Sequence, residues 1–215
     1  MFTIVPPDQT STPPAPPAGS DVSTATRGLG EFLEALAAGR SAPSAGAMLA
    51  VTVAGAASLT AMGARLSPVA DPDGAVAAAA DRLRVRALSL ADEDRVAYGQ
   101  VIATRRSSTD PQAVRARDAA WAEATRVPVE LSECAAEVSD LAGGLLHDGN
   151  PNLAGDVGAA IDLAAGAAHG AARLARINVV EGGLGAADGP GVAFLDRVDQ
   201  ATGTADAVAR RVERT

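Results

Sequence analysis

Residues 47–64, AMLAVTVAGAASLTAMGA, form an uncharged run of mostly small side chains, with Arg40 before it and Arg65 after it. A membrane-spanning helix needs about 20 predominantly apolar residues, so the length alone allows a span. The make-up points elsewhere. Only Met48, Leu49, Val51, Val53, Leu59 and Met62 are larger apolar groups; the rest are alanine, glycine, threonine and serine. No aromatic belt or positive-inside bias accompanies the run. It reads as a helix buried on all sides, where small residues let neighbouring helices approach closely. Any fold for this chain has to be built around that helix.

The rest of the composition agrees with a helical reading. Hydrophobic residues make up 47 %, much of it alanine, the best helix former, and aromatics only 2 %. Sustained apolar–polar alternation is absent, so no strand competes. The segment 30–39 is a short helix with Phe32, Leu33 and Leu36 on one side and Gly39 as its stop. A second helix covers about 44–65 and ends at Ser67-Pro68. A third runs from near Asp73 to about Arg106, and a fourth from about 110 to 126. Pro128 removes a backbone donor, so a break or kink is expected before a fifth segment at 128–147. The next helix starts within Asn152–Asp156 and reaches about Val180. A last one spans about 191–212, beyond the glycine-rich EGGLGAADGPG. The expected architecture is an all-α, up-and-down helical bundle with a central buried Ala-rich helix.

Residues 1–26 are rich in Pro, Ser and Thr, lack a charged leader and an apolar core, and are expected to form a disordered arm rather than a signal peptide. Residues 27–215 are expected to form a single domain in the cytoplasm. A net charge of −8, with 18 scattered basic residues, disfavours a nucleic-acid partner. One cysteine excludes an internal disulfide and a Cys-based zinc site, and two histidines disfavour a His-rich metal site. Cys134, within LSECAAEV, reads as a small buried helical residue.

The third helix carries the sharpest anomaly. Leu83, Ala87, Leu90, Asp94, Ala97 and Val101 follow each other at steps of three and four, the spacing of one helix face. All are apolar except Asp94. A carboxylate on a core-facing stripe is costly unless it is paired or lines a cavity, and burial raises its pKa. Asp94 is therefore either a general base or acid, or the partner of an arginine on another helix. Asp92 lies roughly 160° around the helix from it. Elsewhere, Asp156 sits near a helix start, where capping is its commonest use. Asp162, Gly166, His169, Arg173 and Arg176 share one face, which is solvated, interfacial or pocket-lining. The loop 42–46, APSAG, precedes the small-residue helix and suits close approach of a ligand.

Taken in order, these segments resemble the cyclodeaminase/cyclohydrolase family, from about Gly30 to Arg211. EFLEALAAGRSAPSAGAMLAVTVAGAASLTAMGARLS is similar to the family's opening helix, glycine-rich loop and alanine-rich helix. LSLADEDRVAYGQV resembles its Leu-x-Asp-x-Asp-x-x-Ala-Phe segment, and ATRVPVELSE its Val-Pro-Leu turn. GNPNLAGDVGAAIDLAAGAAHGAARLARINV resembles its Gly-Asn-x-Asn block with the closing Ile-Asn. The resemblance implies a helical homodimer that binds a small-molecule folate between helices, without a metal or further cofactor. It implies hydrolysis of 5,10-methenyltetrahydrofolate to 10-formyltetrahydrofolate, or cyclodeamination of 5-formiminotetrahydrofolate. Asp94 would be the catalytic carboxylate, with Asp92 beside it; Pro43, Ser44, Gly46, Asn150, Asn152, Asp156 and Asn178 would bind the substrate. Where the family loop reads Pro-Gly-Gly-Gly-Ser, this chain reads Pro43-Ser44-Ala45-Gly46-Ala47. The family's Lys and one Asn of the closing block are also replaced here. The alternatives are a catalytically degenerate dimer that binds a folate or another small ligand, and a structural interaction protein.

Overall fold

The alanine-rich segments fold into long helices that are held by close approach more than by large side chains. A computed structural model describes residues 23–39, 43–105, 110–186 and 189–212. Most of the expected arm, residues 1–22, lies outside this set. Six helices follow one another: α1 (Leu29–Ala37), α2 (Ala45–Arg65), α3 (Ala75–Ala103), α4 (Pro111–Asp148), α5 (Ala154–Glu181) and α6 (Pro190–Val212), with a 3-10 turn at Pro151–Leu153 between α4 and α5. No strand occurs among the described residues. From α2 to α6 the helices alternate in direction, so the chain is an all-α, up-and-down bundle.

The largest fully buried side chains are Leu90, Leu131 and Ile161; most of the remaining core is alanine and valine. Dispersion gains depend on atoms in contact, so small side chains contribute only if the helix backbones come near each other. Gly170 of α5 shows how near. A Cβ there would lie 2.6 Å from Leu49 Cδ2 of α2. A side chain on α5 at that crossing would require Leu49 to move.

α2 is the central element, packed on α3, α4 and α5. It is the one helix among the described residues long and apolar enough to cross a membrane, and half of its most apolar window is buried within the bundle. It is not enclosed all round. Met48, Val51, Thr52, Leu59 and Met62 are half-buried, and Gly55 and Ser58 are exposed, along one face.

Of the break or kink expected at Pro128, the break does not occur. α4 runs unbroken for 38 residues with Pro128 inside it. Proline lacks an N–H, which leaves the carbonyl of Ala124, four residues earlier, without its helical donor. The side chain of Asn178 on α5 supplies one: its Nδ2 donates to Ala124 O at 2.8 Å. One turn back, Thr125 Oγ1 donates to Trp121 O at 2.7 Å. A partner from another helix thus repairs the helix, which segment-by-segment reading cannot see.

Surface charges tie the helices together. Arg86 of α3 bridges Glu93 and Glu130, and Arg126 of α4 bridges Glu93, Glu123 and Glu130, closing a ring across the α3–α4 seam. Arg197 of α6 pairs with Glu133 of α4 at 2.7 Å. The polar face of α5 is interfacial: His169 Nε2 lies 2.7 Å from Asp206, and Arg176 pairs with Asp199, both on α6.

Candidate functional site

The face of α3 anticipated from spacing is the buried one. Leu83, Ala87, Leu90, Ala97 and Val101 are all buried. Asp94, on the same stripe, is half-buried against the start of α2. Two features of the loop and first turn of α2 admit it. Gly46 has no side chain: a Cβ there would stand 2.6 Å from Asp94 Cγ and Oδ1 and 2.7 Å from Oδ2, closer than real Cβ atoms come. Ser44, the residue before the helix, donates its hydroxyl to Asp94 Oδ2 at 2.6 Å. Burial pushes the Asp94 carboxyl above its ordinary value, and the Ser44 hydroxyl works against that shift. None of the ion pairs among the described residues involves Asp94. The arginine-paired alternative is therefore set aside.

Asp92 has a different employment. Ser23 Oγ donates to its Oδ2 at 2.6 Å, while Thr24 N and Thr24 Oγ1 donate to its Oδ1 at 3.0 and 2.9 Å. Burial alone would push this carboxyl up; the three hydrogen bonds outweigh it and hold the group below its ordinary value. Asp92 anchors the turn at Ser23–Thr26 to α3. It also stands in the wall of an open groove of about 300 Å³ with Ser89, Glu93, Arg95, Gln100 and Glu123. Asp94 is not in that wall; the two carboxylates face apart.

The remaining expected residues divide between the two ends of the bundle. Pro43 adjoins Ser44 at the start of α2. Asn178 sits towards the end of α5, with its amide committed to Ala124 O. Asn150, Asn152 and Asp156 cluster at the other end. Asn150 N donates to Ser67 Oγ at 2.9 Å, its Nδ2 to Leu66 O at 3.4 Å, and its Oδ1 accepts from Asn152 N at 3.0 Å. Asp156 lies in the first turn of α5. Ser44 precedes α2 and Ser67 follows it, so its 21 residues separate the two groups. At 1.5 Å per residue that is roughly 30 Å. Within one chain the asparagine turn does not meet Asp94.

Cys134 is a free thiol whose pKa burial pushes up to about 11. It stays protonated at neutral pH, and the thiolate is the nucleophilic form. Reading the sequence missed the donor role of Ser44. The signal was a serine directly before a helix start, a position normally read only as a cap for that helix.

A family model described as formiminotransferase-cyclodeaminase matches residues 28–181. Among solved structures, the chain is similar to the crystal structure of formiminotetrahydrofolate cyclodeaminase from Thermotoga maritima. The TM-score is 0.76 at 23 % identity, with 88 % of this chain and 96 % of that chain covered. A search of curated proteins gives no match. The structural likeness establishes the shared fold, and the family match spans α1 through α5 with the Ser44–Gly46–Asp94 arrangement inside it. The chain belongs to the formiminotransferase-cyclodeaminase family.

Proposed function

We propose that this protein is a cytoplasmic folate-dependent one-carbon enzyme that hydrolyses 5,10-methenyltetrahydrofolate to 10-formyltetrahydrofolate, with Asp94 as its catalytic carboxylate. The family, and a fold shared with a formiminotetrahydrofolate cyclodeaminase, support a tetrahydrofolate derivative as substrate. The observation that carries the reading is a carboxylate on an otherwise apolar face, without a counter-cation among the described residues, at the start of α2. The bridging carbon of the substrate is an amidinium cation. An unpaired carboxylate stabilises that charge, and it takes a proton as a water oxygen bonds to the carbon. Breaking the bond from that carbon to N5, with the proton delivered to N5, leaves the formyl group on N10. A base whose pKa is raised towards neutrality suits the proton transfer. Cyclodeamination of 5-formiminotetrahydrofolate is served by the same carboxylate: N10 bonds to the formimino carbon, gives up its proton, and ammonia departs from that carbon.

The working unit in this proposal is a homodimer built across α2. Its uncovered face is self-complementary about Gly55, the midpoint of the helix: Met48 mirrors Met62, Val51 mirrors Leu59, and Thr52 mirrors Ser58. A two-fold interface places each residue against its mirror partner. Antiparallel pairing of two copies would set the Asp94 end of one protomer beside the Asn150–Asp156 end of the other. That arrangement joins the two residue groups that one chain holds roughly 30 Å apart. Asp92 then serves as an anchor and Asp94 alone as the reacting group.

The test is the loss of methenyltetrahydrofolate absorbance on incubation with purified protein. Hydrolysis well above the uncatalysed rate is expected. A rate at background would refute the enzyme; a folate that still raised the unfolding temperature would then identify a binding protein without turnover.

A further inference from the structure

We infer that Ser44 is a positioning residue for Asp94, holding one carboxylate oxygen so that the other is presented as the reacting atom. This deepens the reading of Asp94 as the base and rests on it.

A serine directly before a helix normally turns its hydroxyl onto the free N–H groups of the first turn. Ser44 does not. It stands before α2 in extended backbone (φ −112°, ψ −179°), and no side-chain cap bond forms there. Its hydroxyl instead crosses to α3 and donates to Asp94 Oδ2 at 2.6 Å. With the side chain turned towards α3, its oxygen does not accept from the first-turn N–H groups, and the helix goes without that cap. The donated hydrogen bond engages Oδ2 only; Oδ1 has no partner among the hydrogen bonds of the described residues. The missing side chain of Gly46 lets the carboxylate lie flat against the α2 backbone, where Cγ and both oxygens all come within 2.7 Å of a built Cβ. Contact on one side and a bond at one oxygen fix the plane of the group.

Among the described residues, no other charged side chain competes for this role. α2 carries no charge before Arg65. On α3, Asp92 is held by Ser23 and Thr24, Glu93 is paired with Arg86 and Arg126, and Arg95 is exposed. Burial raises the proton affinity of Asp94, and the only opposing contact is the Ser44 hydroxyl. Ser44 stands where the resembling family loop has glycine, so the device belongs to this chain's own residues.

The experiment compares Ser44→Ala and Ser44→Thr with the native protein by two readouts. The first is a carbon-detected NMR titration of the Asp94 side-chain carboxyl. The second is the pH profile of kcat and of kcat/KM for methenyltetrahydrofolate hydrolysis. Ser44→Ala is expected to move the Asp94 midpoint upward and to carry the acid limb of the rate with it. On that limb kcat should fall on the order of tenfold, the worth of one hydrogen bond to a charged group, with KM little changed. Ser44→Thr, which keeps the hydroxyl, should restore both. Superimposable titrations of native protein and Ser44→Ala would overturn the proposal. So would a Ser44→Thr protein that folds, by circular dichroism, yet titrates like Ser44→Ala. If the native protein hydrolyses nothing, the enzymatic reading fails on its own, and the titration still decides the role of Ser44.

Discussion

At the residue scale, one carboxylate and two small neighbours make the proposed site. The position of Asp94 was legible from the sequence because a single polar residue interrupted an apolar helix face, and every apolar member of that face is buried. Its partners were not. Nothing local to 43–47 says that the Ser44 hydroxyl reaches 50 positions along the chain to Asp94, or that the carboxylate rests on Gly46. Gly46 gives a direct prediction. Gly46→Ala favours the helix by roughly 0.5–1 kcal/mol of propensity. Its Cβ would nevertheless collide with all three carboxylate atoms of Asp94. The variant should therefore fold with its helix content intact by circular dichroism and lose methenyltetrahydrofolate hydrolysis by about tenfold or more, since a misplacement of about 1 Å is that costly. Full activity in Gly46→Ala would show that Asp94 need not sit where it does.

At the element scale, the sequence located the helices well because alanine content and three-to-four spacing are strong local signals. It failed at Pro128, where the break is prevented by a residue 50 positions away. The proline frees the carbonyl of Ala124, and Asn178 satisfies it. An unsatisfied buried acceptor costs about 1–3 kcal/mol, so Asn178→Ala should lower unfolding stability by that amount in denaturant titration. Pro128→Ala restores a backbone donor for Ala124, so Asn178→Ala should cost far less in that background. A double-mutant cycle reads the coupling. Equal costs in both backgrounds would separate Asn178 from the proline. The site expectation for Asn178 came from motif resemblance; its observed bond explains why an asparagine and a proline go together there without invoking a ligand.

The long α2 helix drew two opposed readings from its composition alone, because small-residue helices are used both in membranes and in tight cores. The packing of α2 on α3, α4 and α5 resolves most of that ambiguity. What composition could not show is which of its residues stay uncovered. That depends on where the other helices end up, and so on the whole fold.

At the scale of the molecule, the bundle separates what the family motifs suggest belongs together. Asp94 and Ser44 occupy one end of α2; Asn150, Asn152 and Asp156 occupy the other. The antiparallel dimer proposed about Gly55 would unite them. A Cβ at Gly55 meets nothing within 4 Å, so the isolated chain tolerates a larger side chain there. Gly55→Leu should fold normally, sediment as a monomer where the native protein sediments as a dimer, and lose activity with its partner. A native protein that sediments as a monomer at assay concentration would rule this assembly out.

Acid–base linkage gives the central claim a second signature. The Asp94 pKa is raised on folding. Its contribution to stability is then fully present below the ordinary carboxylate value and is lost as pH rises through the raised one. Burial disfavours the charged form of this carboxyl in the folded protein. Replacing it with a neutral amide of the same shape removes that penalty, a trade between stability and function. Asp94→Asn therefore tests the account most directly, with kcat for methenyltetrahydrofolate hydrolysis and unfolding temperature measured on the same preparation. The expected result is a loss in kcat on the order of 10²–10⁴-fold, the usual worth of a positioned general base, with an unfolding temperature no lower than native. Native turnover in Asp94→Asn would contradict the account.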